Sequence, residues 1–389
     1  MRAFFVTLLG GIMLFGCSRE PTVPPVFPDP TETAEDTGEA PEPTFSGSWE
    51  LVSGIDPFET GIDDLAYLTI APPNGGGGAL TLYGTNLLNG APDCAQGVYA
   101  GLGDRAVQVE FSSGSYYGND GSFLTVLAFS LDELVIQTAN GQATFRPADA
   151  VPANAQCGQA SFVNRLSVVL PDGMYGNYFA TRGRLLFDGT NLLVFNNDAL
   201  VYPVSPSNGT VDVGIALDAV YDEPYAAEGN VIWARDFRSI AQLNPVPVIA
   251  DEVVTDEIAP GLDAPLDIAC AAHNGTNLIL NGRSTLDSTQ RLYVIDHVSE
   301  PDVLLTNVET GIQYRDLTFH QGNLWGLTTS NGRAQIVQIS LTTGQASNTI
   351  LMPPELGRGN VDGLESTGTS LFVMQRPYGT VELFELALP

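Results

Sequence analysis

The stretch Leu317-Thr318-Phe319-His320-Gln321-Gly322-Asn323-Leu324-Trp325, with Gln335-Ile336-Val337-Gln338-Ile339 after it, reads as strand, tight turn, strand, polar gap, strand. The turn and the strand that follows it recur along the chain. They appear as Asp188-Gly189-Thr190-Asn191-Leu192, Glu228-Gly229-Asn230-Val231-Ile232-Trp233, Asn274-Gly275-Thr276-Asn277-Leu278 and Thr367-Gly368-Thr369-Ser370-Leu371. The turn glycines advance in steps of 40, 46, 47 and 46 residues. Self-similarity at that interval is the signature of four-stranded propeller blades. Each copy is followed by one more strand in step: Leu200-Val201-Tyr202-Pro203-Val204, Ile240-Ala241-Gln242-Leu243, Arg291-Leu292-Tyr293-Val294-Ile295, the 335–339 strand above, and Val381 to Leu386. Five copies imply five blades. The last blade runs out of chain one strand short, and Phe162 to Val169 is a strand with no other place, so it is expected to close the ring.

The segment from Asp316 to Gly344 resembles the blades of bacterial NHL-like propellers. The resemblance covers about 230 residues, implies a propeller architecture and brings no catalytic motif with it.

Upstream, short alternating runs at Trp49–Val52, Tyr67–Ile70, Leu80–Tyr83, Val107–Phe111, Phe123–Phe129 and Leu134–Ile136 are separated by turn formers. Asn140-Gly141 before Gln142-Ala143-Thr144-Phe145 is a strong hairpin signal. These runs predict a small antiparallel β-barrel or sandwich. Gly47-Ser48-Trp49-Glu50-Leu51 followed by a meander resembles small lipocalin-like barrels, a resemblance that implies a tryptophan plugging one end. The expected fold class is therefore all-β, a small barrel followed by a five-bladed propeller.

Arg2 and the apolar run Ala3–Phe15 have the make-up of a signal peptide, shorter than the roughly 20 apolar residues a membrane span needs. Leu14-Phe15-Gly16-Cys17 resembles the lipobox of bacterial lipoproteins, which implies lipidation of Cys17. Phe15 is bulkier than that family usually has there, and Ser18 after the cysteine implies export to the outer membrane. Residues 18–45 hold seven prolines and seven acidic residues, the composition of an extended tether. The expected organisation is a leader and lipidation cysteine at 1–17, the tether at 18–45, the barrel at 46–157 and the propeller at 158–389.

With Cys17 lipidated, three cysteines remain in a compartment that permits disulfides. Cys94 and Cys157 lie in polar, loop-like contexts and are expected to pair; Cys270, in Ile268-Ala269-Cys270-Ala271, reads as a small buried hydrophobe.

The 389 residues carry 45 acidic and 15 basic side chains, a formal charge of −30, and every basic residue is arginine. Such a balance argues against nucleic acid and anionic lipid surfaces as partners. His273, His297 and His320 form no zincin motif, and neither a nucleophile elbow nor a P-loop is present. Gly101-Leu102-Gly103-Asp104-Arg105-Ala106 matches a dinucleotide fingerprint by letter but has no helix after it. His273 and His320 precede equivalent turn glycines and are expected to face solvent. Tyr221, Tyr225, Tyr314 and Tyr378, near blade edges, are candidates for stacking on a sugar or gripping a partner.

One recurrence carries a chemical hypothesis. Asp222, Asp267, Asp316 and Asp362 each stand just before an expected inner strand. Converging at the channel mouth they would suit Ca²⁺; as local caps each would accept backbone N–H bonds. The function expected from these features is a lipid-anchored envelope protein, its membrane contact made through the N-terminal lipid alone. It would recognise a protein or glycan through propeller loops. Two alternatives are a metal-dependent hydrolase, lactonase or lyase at the channel mouth, and a carrier of a small apolar ligand in the barrel.

Overall fold

The computed structural model describes residues 45–74, 76–101, 106–111, 122–170, 185–196, 200–216, 221–228, 231–236, 239–243, 266–284, 287–296, 298, 303–330, 333–353, 356, 361–375 and 380–389. Cys17, the 18–44 segment, most of the 101–106 glycine motif and Tyr378 lie outside them.

Eight antiparallel strands form the first body: β1 (Gly47–Gly54), β2 (Asp64–Ile70), β3 (Gly77–Thr85), β4 (Pro92–Gly101), β5 (Ala106–Phe111), β6 (Ser122–Phe129), β7 (Leu134–Gln137) and β8 (Gln142–Ala148). Each pairs with the next, and β8 returns to β1 with Trp49 opposite Pro147 and Leu51 opposite Phe145, closing a barrel. Alternation puts Trp49, Leu68, Leu82, Val109, Phe111, Ile136 and Phe145 inside. Trp49 Nε1 donates to the Phe45 carbonyl at 3.0 Å, so the buried indole keeps its hydrogen bond. The space left at the centre, lined by Phe45, Phe58, Leu68 and Tyr99 among others, is about 10 Å³. That is about the volume of one water probe, so among the described residues the expected apolar carrier finds no ligand-sized space there.

Strand β4 is the piece that sequence periodicity concealed. Cys94 sits on this strand opposite Tyr83, fully buried, and not in a loop. The inward positions beyond it are Ala95, Gly97 and Tyr99, two of them too small to register as apolar alternation. Gly97 must be small, because a Cβ there would stand 2.7 Å from the Glu110 carbonyl and 3.0 Å from the Phe111 ring.

After a one-turn 3₁₀ helix at Ala153–Ala155 come β9 (Gly158–Gln159) and β10 (Ser161–Val168), then a ring of sheets. The first sheet holds β11 (Leu185–Phe187), β12 (Leu192–Asn196), β13 (Leu200–Val204) and β14 (Ile215–Ala216). The second is β15 (Tyr221–Glu228), β16 (Val231–Asp236) and β17 (Ser239–Leu243). The third is β18 (Leu266–His273), β19 (Asn277–Ser284), β20 (Gln290–Asp296) and β21 (Val303–Glu309). The fourth holds β22 (Asp316–His320), β23 (Asn323–Ser330), β24 (Arg333–Ile339) and β25 (Ala346–Leu351), with β9 added in parallel to β25. The last is β26 (Val361–Ser366), β27 (Leu371–Gln375) and β28 (Val381–Ala387), completed by β10, which pairs Phe162 with Leu386 and Val168 with Val381. The first strands of the sheets, β11, β15, β18, β22 and β26, neighbour one another in a closed cycle.

The expectation of five blades is thereby corrected to four. Four sheets reach the full complement of four strands, whereas the copy at Glu228–Trp233 belongs to a three-stranded sheet among the described residues.

The repeated glycines mark the hairpin between the first and second strand of a blade. Gly189, Gly275, Gly322 and Gly368 have φ of 94°, 90°, 78° and 85°, where a Cβ is disfavoured. The residue opening the turn ties it down: Asp188 Oδ1 accepts from the amides of Thr190 and Asn191 at 2.8 and 2.7 Å, and Asn274 Oδ1 from Thr276 and Asn277 at 3.1 and 2.8 Å. At Gln321-Gly322 both residues have positive φ, the two-residue hairpin whose twist matches its strands.

Barrel and propeller meet along the β3–β4 hairpin and β4. Ala91 packs into the same core cluster as Tyr314, Leu317 and Leu324, and Thr349 Oγ1 of β25 donates to the Pro92 carbonyl. The disulfide Cys94–Cys157 ties β4 to the segment entering β9. Cys270 is a buried thiol whose Sγ donates to the Tyr314 carbonyl at 3.4 Å.

Candidate functional site

Of the four repeated aspartates, Asp222 lies in β15 and Asp267 in β18, with side chains outside the described residues. Asp316 and Asp362 stand on adjacent first strands, β22 and β26. Asp316 is 1% exposed; its Oδ1 accepts from the Leu317 amide at 3.0 Å and its Oδ2 from the Leu364 amide at 2.9 Å. Asp362 lies 3.7 Å from the Arg315 guanidinium. Asp316 thus works as a tie between blades, directed at backbone amides as a capping carboxylate is. Among the described residues no three His, Cys, Asp or Glu side chains gather as a metal set.

The same strand face continues the tie. Asp316, Thr318 and His320 alternate toward β26: Thr318 Oγ1 donates to Glu365 Oε1 at 2.6 Å, and His320 Nδ1 is 2.8 Å from Ser366 Oγ. Burial, with Asp316 nearby, raises the Glu365 carboxyl to about 8 despite the Thr318 and Ser366 donors, so it is protonated at neutral pH. His320 corrects the expectation of a solvent-facing turn histidine: it is 4% exposed, and burial lowers its pKa. His273 does serve its turn, its Nδ1 accepting from the Gly275 amide at 3.0 Å. Tyr314 is wholly buried, with its phenol pKa raised by desolvation, and is therefore removed from the stacking candidates. Tyr221 and Tyr225 lie on β15, with side chains outside the described residues.

At His320 the tie adjoins a cleft of about 370 Å³ on the fourth sheet. Its walls come from five places in the chain: His320, Gln321, Asn323 and Trp325 at the β22–β23 turn; Gln338 on β24; Asn348, Thr349 and Ile350 on β25; Gln156 and Gly158 around the start of β9; and Leu388 and Pro389 after β28. The volume falls in the range of small-molecule sites, about 300–1,000 Å³. Among the described residues no lining side chain is a carboxylate or a guanidinium, in a protein of formal charge −30.

The polar lining is an amide ladder across three strands. Asn348 Nδ2 donates to Gln338 Oε1 at 2.6 Å, Gln338 Nε2 to Asn323 Oδ1 at 2.9 Å, and Asn323 Nδ2 to the Gln321 carbonyl at 3.3 Å. Backbone irregularity puts Asn348 there. Val337 pairs with Thr349 and Gln338 with Ser347, so Asn348 is the extra residue of a β-bulge, with φ of 47°. Bulges re-aim side chains, and Asn is one of the few residues that tolerate the left-handed region. Trp325 forms part of the floor at 8% exposure, and its Nε1 is buried without an acceptor among the described residues.

Sequence reading missed this site because its walls are far apart in the chain and only the 320–325 turn and Gln338 belong to the repeat. The signal available was a set of amide side chains, Gln321 in the turn and Asn323, Gln338 and Asn348 on the strands that follow it.

No family model and no curated protein matches the chain. Among solved structures it is similar to U3-55K, at 11% identity and a TM-score of 0.29, over 74% of this chain and 91% of that one. It is also similar to a candidate 6-phosphogluconolactonase from Bacteroides uniformis, at 14% identity and 0.28, over 74% and 82%. A third likeness is to the WD40 repeats of RRP9, at 11% identity and 0.29, over 75% and 91%. At these scores the likenesses carry no argument about ligand or chemistry.

Proposed function

We propose that this chain is a lipid-anchored binding protein of a bacterial cell envelope. It is held at Cys17 and spaced from the outer membrane by residues 18–45, and it recognises a protein or glycan with its propeller. The observation that carries the reading is the open cleft on the fourth sheet, lined with hydrogen-bond donors and acceptors on rigid strands. The Leu14-Phe15-Gly16-Cys17 tetrad and the acidic, proline-rich segment after it support the anchor and the spacer.

Expression of the full chain in a Gram-negative host, with an alkyne-labelled fatty acid in the medium, tests the anchor. The wild type is expected to take up label and fractionate with the outer membrane, and Cys17→Ala to do neither; equal behaviour of the two overturns the anchor. For recognition, the purified wild type is expected to retain a protein or glycan from a solubilised envelope fraction, and Asn323→Trp, which crowds the cleft mouth, to lose it. A wild type that retains nothing, or a variant that retains as much, overturns the assignment to the cleft.

A further inference from the structure

We infer that the cleft on the fourth sheet is a saccharide site, selective for uncharged, polyhydroxylated ligands over acidic ones. This rests on the reading of the chain as a binding protein and names the ligand class.

A sugar hydroxyl is donor and acceptor at once, and a primary amide presents both roles on one planar group. Asn323, Gln338 and Asn348 are spaced by the strands and held in line by their mutual hydrogen bonds. Asn323 and Asn348 are exposed and Gln338 half-buried, and each amide has lone pairs or N–H groups beyond those the ladder uses. Trp325 and Ile350 supply apolar surface beneath them, as the C–H face of a pyranose requires.

Charge sets the selectivity. Among the described residues no lining side chain is a guanidinium, and burial lowers the pKa of His320 at the floor, so the described lining offers an acidic sugar no counter-charge. The protein's formal charge of −30 repels such a ligand at a distance as well.

The bulge at Asn348 is the second observation. A non-glycine residue with φ of 47° in a strand carries a backbone cost, and here it delivers one amide to Gln338 at the rim of the cleft. Asn348→Gly separates the two roles, since glycine adopts that φ freely and lacks the amide.

The test uses the full purified chain in detergent, titrated by calorimetry with cello-, malto- and chito-oligosaccharides and with oligogalacturonate. Binding of at least one neutral series is expected, at least tenfold tighter than oligogalacturonate and unchanged between 50 and 500 mM salt in order-of-magnitude terms. Asn348→Gly and Gln338→Ala are each expected to weaken it fivefold or more, with Asn348→Gly melting at or above the wild-type temperature. No binding of any neutral series overturns the ligand class, while retention of an envelope protein by the same preparation would leave the binding reading standing. Neutral binding untouched by both variants overturns the site.

Discussion

Glu365 shows what one residue between two blades does to the pH dependence of the whole fold. Its carboxyl is raised from 4.5 to about 8, first by burial and then by Asp316, so in the folded protein it keeps its proton where the unfolded chain has lost it. Below about pH 4.5 both states are protonated and the residue costs nothing. Between about 4.5 and 8 the unfolded state is favoured increasingly, by up to roughly 1.4 kcal/mol per pH unit, and above 8 the effect levels off. Glu365→Gln keeps an acceptor for the Thr318 hydroxyl and the Ser366 amide and removes the titration. Thermal melts across pH 4 to 9 are expected to show the variant gaining on the wild type as pH rises through that window, with little difference at pH 4. Parallel curves would mean that Glu365 ionises freely in the fold. Nothing in the local sequence Gly363-Leu364-Glu365-Ser366 announced this, because the partners Asp316 and Thr318 stand about fifty residues earlier in the chain.

The elements were the most legible part, because each blade hairpin is written locally as a turn former, a glycine and a β-branched or leucine-rich run. Gly368 and Gly344 separate the two reasons for a glycine. Gly368 has φ of 85° with open space where a Cβ would go, so Gly368→Ala meets a backbone penalty alone, about 1–2 kcal/mol. Gly344 has φ of 70° and a Cβ would stand 2.0 Å from the Glu309 carbonyl, so Gly344→Ala is expected to cost clearly more and to strain the seam between the third and fourth sheets. Urea unfolding of the two variants measures the difference; equal losses would show that the Glu309 backbone yields without cost. Other elements were not legible, for reasons equally physical. Strand β4 hides its inward face behind Ala95 and Gly97, and β9 is two residues long, specified by the edge of β25 and not by its own side chains. Strand β10 was recognisable through what the last blade lacked, and its pairing with β28 closes the ring.

Taken whole, the molecule joins two closed β structures through one short segment, and that segment also walls the cleft. Cys157 is flanked by Gln156 and Gly158, both lining residues, and Gly158 pairs with Ile350 while Cys94 is fixed in the barrel. Such an arrangement cannot be read from a chain whose repeat speaks for the ring alone: the cleft needs the barrel's exit, the fourth blade and residues 388–389 in one place. The bond spans 63 residues, for which the chain-entropy model assigns about 4 kcal/mol of stabilisation through the unfolded state. Replacing both cysteines by alanine should therefore lower the melting temperature by several degrees. It should also release β9, whose two-residue pairing has little else in its own sequence to hold it. Hydrogen exchange distinguishes the two effects. Exchange at Gln159 and Ala160, whose side-chain and backbone N–H groups reach the Leu351 carbonyl, is expected to accelerate far more than at the central strand β27. Uniform acceleration would mean that the bridge acts on global stability alone. An unchanged β9 would mean that the Thr349–Pro92 bond and the packing of Ala91 against the propeller core are enough to set the cleft wall.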